Sequence, residues 1–121
     1  MPHARRSPSE HGLGVVVGGF AFVRVRGASM EPTLRDGDLL LVRVDRTPVP
    51  GALVVLELPG RVGLAIKRVV RLEPDGWWVE RDNPREGVDS WAIGAIPAAD
   101  VVAQVVRRLW PLRRIGGRPR L

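Results

Sequence analysis

The apolar residues of this chain fall into short runs, and almost every run is closed by Gly or Pro. Residues 39–44 precede a loop that holds Pro48, Pro50 and Gly51; residues 52–58 end at Pro59-Gly60; residues 64–72 end just before Pro74-Asp75-Gly76. Val, Leu and Ile dominate these runs, and runs of that kind with such punctuation predict a mainly β fold. A length of 121 residues suffices for one domain with one modest core. Hydrophobic residues make up 45% of the chain, enough for it to fold rather than behave as a disordered tail.

Taken in order, residues 1–12 are polar, with Pro2, Ser7, Pro8 and Ser9, and read as a flexible N-terminal tail. Residues 14–26 read as a strand. Phe20, Phe22 and Arg24 share one face, Ala21, Val23 and Val25 the other, and Gly18-Gly19 marks a bend or bulge. Residues 27–34 form a turn or short helix, and Arg35-Asp36-Gly37-Asp38 a tight turn. Strands follow over 39–44, 52–58 and 64–72. Pro74-Asp75-Gly76 reads as a hairpin turn, with the returning strand over 77–81. Residues 82–90 form a polar loop, Trp91 to Ile96 leads to Pro97, and 101–110 is a last strand. A helix over 98–109, begun by Asp100, is the alternative there. The tryptophans Trp77, Trp78, Trp91 and Trp110 read as core and edge packing. No repeat or second domain is visible. The organisation is a tail over 1–12, one domain over 13–111 and a basic Gly/Pro tail over 112–121.

Several chemistries are excluded by residue content. Cysteine is absent, which removes a disulfide scaffold, a thiol nucleophile and any cysteine-based metal site. The only histidines, His3 and His11, lie in the N-terminal tail, so neither a zinc site nor a Ser-His-Asp triad is supported. There is no Gly-rich phosphate loop. No metal and no cofactor are expected. The net charge of +6 would suit nucleic acid or anionic lipid. Much of the excess, however, sits near the ends, at Arg5, Arg6, Arg107, Arg108, Arg113, Arg114, Arg118 and Arg120. That placement favours solvated tails with weak contact to an anionic membrane. A basic β-module binding nucleic acid lacks exposed aromatics interleaved on a basic strand face, and no nucleic-acid partner is expected. The apolar stretch from Leu13 to Val23 has Gly or Ala at four positions, and a spanning helix needs about 20 apolar residues. It flows into Arg24-Val25-Arg26 without a small-residue cleavage pattern, a poor fit to a signal peptide. A soluble, cytoplasmic protein is expected.

Two residues remain for chemistry. Ser29 is the one serine at a sharp strand-to-turn transition, where a hydroxyl is exposed and nearby N–H groups are free to hold an oxyanion. The alternative is a cap on the Glu31-Pro32-Thr33 turn. Lys67 is the only lysine among 19 lysine and arginine residues. Either one lysine has survived by chance, or this position needs what Arg cannot offer, an amine able to lose its proton. On a strand, Ala65, Lys67 and Val69 share a face, small and apolar on both sides of the amine. Such surroundings lower an amine's pKa and let it act as a base. The alternative is a solvated Lys67-Arg68 pair on an edge strand. Asp36 and Asp38 flank Gly37 as turn formers, and Asp82-Asn83-Pro84 is a turn signature. Asp89-Ser90 either orients a neighbour, such as Arg68, or closes its loop.

Together these pieces resemble the type I signal peptidase family and the related SOS-repressor-type autoproteases. Ser29-Met30-Glu31-Pro32-Thr33-Leu34 is similar to the nucleophile box, followed by Arg35-Asp36-Gly37-Asp38 and Leu39-Leu40-Leu41-Val42. Pro50-Gly51-Ala52-Leu53-Val54-Val55 is similar to the next strand, and Ile66-Lys67-Arg68-Val69-Val70 to the general-base box. Asp82-Asn83, Asp89-Ser90 and Gly94 resemble the late loop. The boxes occur in order over residues 23–111. The resemblance implies a signal-peptidase-like β-rich catalytic domain, a serine endopeptidase in which Ser29 attacks and Lys67 is the base. It implies an oxyanion and supporting set of Ser29, Met30, Arg68, Asp89 and Ser90, with Asp89 and Arg68 bracing the late loop against the base strand.

The pattern departs in three places. Gly27 stands where relatives often carry a hydroxyl, Gly87 where some carry a serine that orients the lysine, and Trp91 where an arginine is usual. Size and the expected lack of an anchor make the chain resemble the nickel-type superoxide dismutase maturation proteases. The substrate implied is a protein precursor that loses an N-terminal extension. General processing of secretory preproteins at a membrane surface is the alternative.

Overall fold

In a computed structural model, which describes residues 13–60, 63–112 and 115, six strands form one antiparallel sheet. The expected tail over 1–12, with both histidines, and nearly all of that over 112–121 lie outside the described residues. The strands are β1 (Phe20–Arg24), β2 (Leu39–Arg43), β3 (Leu53–Glu57), β4 (Leu64–Glu73), β5 (Gly76–Glu80) and β6 (Val101–Trp110). One helical turn, α1 (Ser90–Ile93), and a 3-10 turn (Ala98–Asp100) complete the regular elements among the described residues. The fold is mainly β, in a single small domain.

The spatial order is β1-β2-β6-β3-β4-β5. The last strand therefore sits in the middle, joining the β1–β2 hairpin to the β3–β4–β5 meander. Backbone pairing to β2 on one side and β3 on the other holds β6 extended, which disposes of the helix over 98–109. Asp100 closes the 3-10 turn instead of starting a helix.

The strand expected over 14–26 is shorter. Val17 and Phe20 exchange two backbone hydrogen bonds, of 2.9 and 3.0 Å, across Gly18-Gly19. Both glycines have positive φ, +60° and +82°, as a two-residue hairpin turn requires. The chain doubles back there, so the strand begins at Phe20. Within it the alternation holds, with Ala21 buried and Phe22 exposed.

Leu53, Val54, Val55 and Leu56 of β3 are all buried, because this strand has apolar cover on both faces. Leu53 and Val55 join a cluster with Leu34, Leu40, Val42 and Met30. Val54 and Leu56 join another with Val69, Trp77, Val79 and Ile96. On β4 the pleat divides Ile66, in the first cluster, from Ala65 and Val69, which pack with the second. Lys67 falls between the latter two on their face. The free edge of β5 is partly covered where Trp77 and Ile96 exchange two hydrogen bonds of 2.8 Å. Gly76 permits that approach, since a Cβ there would lie 2.2 Å from the Ile96 carbonyl oxygen.

Candidate active site

The chain leaves β1 through Val25 and Gly27 and enters a turn that carries Ser29. Asp36 and Asp38 build the base of this turn. Asp36 Oδ1 accepts from Gly27 N at 2.8 Å, and Asp38 Oδ2 accepts from Arg35 N at 2.9 Å. Asp38 does more than shape a turn, because Arg108 Nη1 donates to the same oxygen at 3.0 Å and Arg108 Nη2 donates to Thr33 O at 2.9 Å. The two side chains are 2% and 5% exposed. Arg108, counted in the sequence among the solvated charges near the C-terminus, is thus a buried strut on β6. Chain position alone concealed it.

Ser29 Oγ accepts from Lys67 Nζ at 2.9 Å. The hydroxyl meets the lysine while the turn closes on backbone bonds, Glu31 N to Ala28 O and Leu34 N to Met30 O. The Ser29 and Met30 amides reach no backbone carbonyl among the described residues, as expected for the first N–H groups of a helix-like turn. The late loop straps the turn down: Asn83 N donates to Ser29 O at 2.9 Å and Asn83 Nδ2 to Ala28 O at 2.8 Å. The Met30 side chain is buried in the first cluster, and its sulfur accepts from Asp82 N at 3.3 Å.

Lys67 is 2% exposed and pairs with Val54 across the β3–β4 ladder. Strand β4 is interior, with β3 and β5 on either side, so the Lys67-Arg68 pair is not the solvated edge pair weighed above. Burial disfavours the charged form of an amine. Arg68 points away from Lys67, as strand alternation requires, and finds a carboxylate. That carboxylate is Asp82. Arg68 Nε donates to Asp82 Oδ1 at 3.0 Å and Nη2 to Oδ2 at 2.6 Å, while Nη1 reaches Gly51 O at 2.8 Å. Thr33 Oγ1 donates to Asp82 Oδ2 at 2.5 Å. Asp82 therefore ties the strand of Lys67 to the turn of Ser29.

The pairing of Arg68 with Asp89 does not form. Asp89 is the N-cap of α1, accepting from Trp91 N at 3.1 Å, and also accepts from Arg81 N at 3.2 Å. A buried guanidinium takes the carboxylate it can meet in bidentate geometry, and Asp82 offers that geometry. Ser90 is 1% exposed and its Oγ accepts from Val79 N at 2.8 Å, which fastens α1 to β5. The helical turn at Ser90 was not anticipated, although Asp89 before Ser90-Trp91 is a capping residue by type. Of the four tryptophans only Trp77 is core. Trp91 and Trp110 are 73% and 64% exposed, and Trp91 Nε1 donates to Glu80 Oε2 at 3.0 Å.

An open cleft of about 550 Å³ borders Ser29. Phe22, Val23, Val25, Met30, Leu64 and Ile66 give it an apolar lining, and Arg24 and Arg26 bring positive charge. Among the described residues no cluster of His, Cys, Asp or Glu could hold a metal ion, and no helix is long and apolar enough to cross a membrane.

A mainly β domain with a serine hydroxyl and a buried amine in contact at the edge of a partly apolar cleft has the makings of a serine peptidase. The Peptidase S24-like family matches residues 15–106, and the chain belongs to that family. It is also similar to mitochondrial inner membrane protease subunit 1 of Xenopus tropicalis, 31% identical over 115 residues covering 74% of this chain and 69% of that protein. These likenesses place it with the serine proteases of the signal peptidase I-like kind.

Proposed function

We propose that Ser29 and Lys67 act as a Ser/Lys dyad that cuts a peptide bond in a protein precursor. The 2.9 Å contact between Lys67 Nζ and Ser29 Oγ carries this reading. At that separation the proton can sit on either atom, and a neutral Lys67 is placed to accept it. Ser29 Oγ then attacks the scissile carbonyl carbon. The Ser29 and Met30 amides are the candidate donors to the developing oxyanion. Gly27 brings no hydroxyl to this hole, which leaves the work to backbone N–H groups. The protonated Lys67 passes its proton to the departing amine, and an acyl ester remains on Ser29. A water molecule, deprotonated by the same amine, releases the acyl group.

The cleft suits an extended substrate segment with apolar side chains. The product carries a new amino terminus, and the resemblance to nickel-type superoxide dismutase maturation proteases supports a dismutase precursor as substrate. A cytoplasmic site of action belongs to the same proposal. Similarity to a protease subunit of a mitochondrial inner membrane favours a second reading, general processing of preproteins at a membrane surface. Purified protein incubated with each type of precursor and analysed by mass spectrometry separates the two. Ser29→Ala and Lys67→Ala should each abolish cleavage while melting like the parent. Cleavage by folded Ser29→Ala would exclude the dyad.

A further inference from the structure

The loop over 82–89 reaches the Ser29–Lys67 contact through Gly87. A Cβ built on Gly87 would lie 2.7 Å from Ser29 Cβ, 3.4 Å from Lys67 Nζ and 3.6 Å from Ser29 Oγ. Its φ is +83°, a conformation that side-chain-bearing residues rarely adopt. The glycine at 87 is therefore more than a missing hydroxyl: only a glycine backbone fits against the pair in this way. Glycine is also the freest of residues, so the loop must be held from elsewhere.

Arg81 holds it. Its Nη1 donates to the Gly87 carbonyl, and its Nη2 donates to Pro84 O at 3.1 Å. Its Nε lies 3.9 Å from Asp89 Oδ2, the oxygen that also accepts from the Arg81 backbone N–H. One planar guanidinium thus ties down positions 84, 87 and 89 together, a span that a point-charge ammonium cannot cover. It also supplies the cation beside Asp89.

Resting on the Ser/Lys reading above, we propose that Arg81 is a positioning residue for this pair. By gripping the Gly87 carbonyl it presses the Gly87 backbone against Ser29 and Lys67. That contact limits where the hydroxyl and the amine can sit and keeps them at attack distance. Arg81 acts through the loop and touches no reacting atom.

The lone lysine provides a direct probe, because lysine labelled with 15N gives a single Nζ resonance, that of Lys67. Steady-state cleavage kinetics, the Nζ resonance and the melting temperature are measured for the parent, Arg81→Met and Arg81→Gln. Arg81→Lys is measured by kinetics alone. The expected result for Arg81→Met is a fall of about tenfold in kcat with KM within about twofold, and a displaced Nζ resonance. Arg81→Lys should recover only a minor part of kcat. Arg81→Gln, which keeps one donor, takes the place of Arg81→Met should the latter fail to fold. An unchanged kcat overturns the proposal, and so does a lower kcat with the Nζ resonance unmoved, because Arg81 would then act elsewhere. Ser29→Ala in the same assay keeps the two ideas apart. If it still cleaves, the dyad has failed, and the Nζ resonance of Arg81→Met alone decides whether Arg81 positions the pair.

Discussion

Asp82→Ala should be among the most damaging single substitutions in this domain. The Asp82 side chain is 0% exposed and its Arg68 partner 6%. The substitution removes two hydrogen bonds from the guanidinium and one from the Thr33 hydroxyl. Arg68 keeps only its bond to Gly51 O among those described above. Removing one partner of a buried pair costs about 3–5 kcal/mol, because the other charge stays desolvated. Total stability of a domain is about 5–15 kcal/mol, so about a fifth of it or more is at stake. At this size about 1 kcal/mol lowers Tm by about 4 °C, which makes the expected drop about 12–20 °C. Urea unfolding and thermal melts followed by circular dichroism give the number. The double variant Arg68→Met/Asp82→Leu leaves no stranded charge and should lose less than Asp82→Ala alone. Thr33→Val, which removes one hydrogen bond to a carboxylate, should cost about 1.5–3 kcal/mol. If Asp82→Ala stays within about 0.5 kcal/mol of the parent, the carboxylate is hydrated and the reasoning fails.

Three other outcomes are expected. On the proposed dyad, Lys67→Arg should be inactive, since a guanidinium stays charged and cannot take the serine proton; an active Lys67→Arg removes the lysine base. Gly76→Ala should destabilise by about 2–4 kcal/mol in chemical denaturation, since its Cβ would overlap the Ile96 carbonyl at a φ of +145° and force apart the Trp77–Ile96 bridge; a neutral result would show that the bridge is dispensable. The hydrogen bond from Arg43 Nε, 2.9 Å long, holds the Asp45 carboxyl below its ordinary value, so its NMR titration should move up in Arg43→Met. A lowered carboxyl pKa supports the fold above the unfolded value and loses that support as pH falls through the folded one. Asp45 is exposed and solvent-screened, so no change in Tm should accompany the shift.

Legibility from the sequence followed the range of the interaction that each feature depends on. Strand content rests on local patterning, and residues 39–44, 52–58, 64–72 and 101–110 all emerged as strands within a residue or two. The turn at Pro74-Asp75 was equally readable, because proline and glycine act on their own φ. The strand over 14–26 was overextended because Gly18-Gly19 serves a bend, a bulge or a full reversal, and only the Val17–Phe20 bridge selects the last. Asp89 was the expected partner of Arg68, but Asp82 and Asp89 are equivalent by type and both lie in the loop.

By itself the sequence singled out Ser29 by its place at a bend and Lys67 by its being the only lysine, because residue type and local pattern are properties of the chain. Their approach to 2.9 Å was decided by tertiary structure. So were the central place of β6, the burial of Arg108 against Asp38, the choice of Asp82 by Arg68, and the fit of Gly87 against Ser29. Each of these joins segments far apart in the chain, and it depends on sheet register and on which buried charge finds a partner. No local pattern encodes those pairings. They are settled only when the whole sheet closes around its two clusters and every desolvated charge has to be satisfied at once.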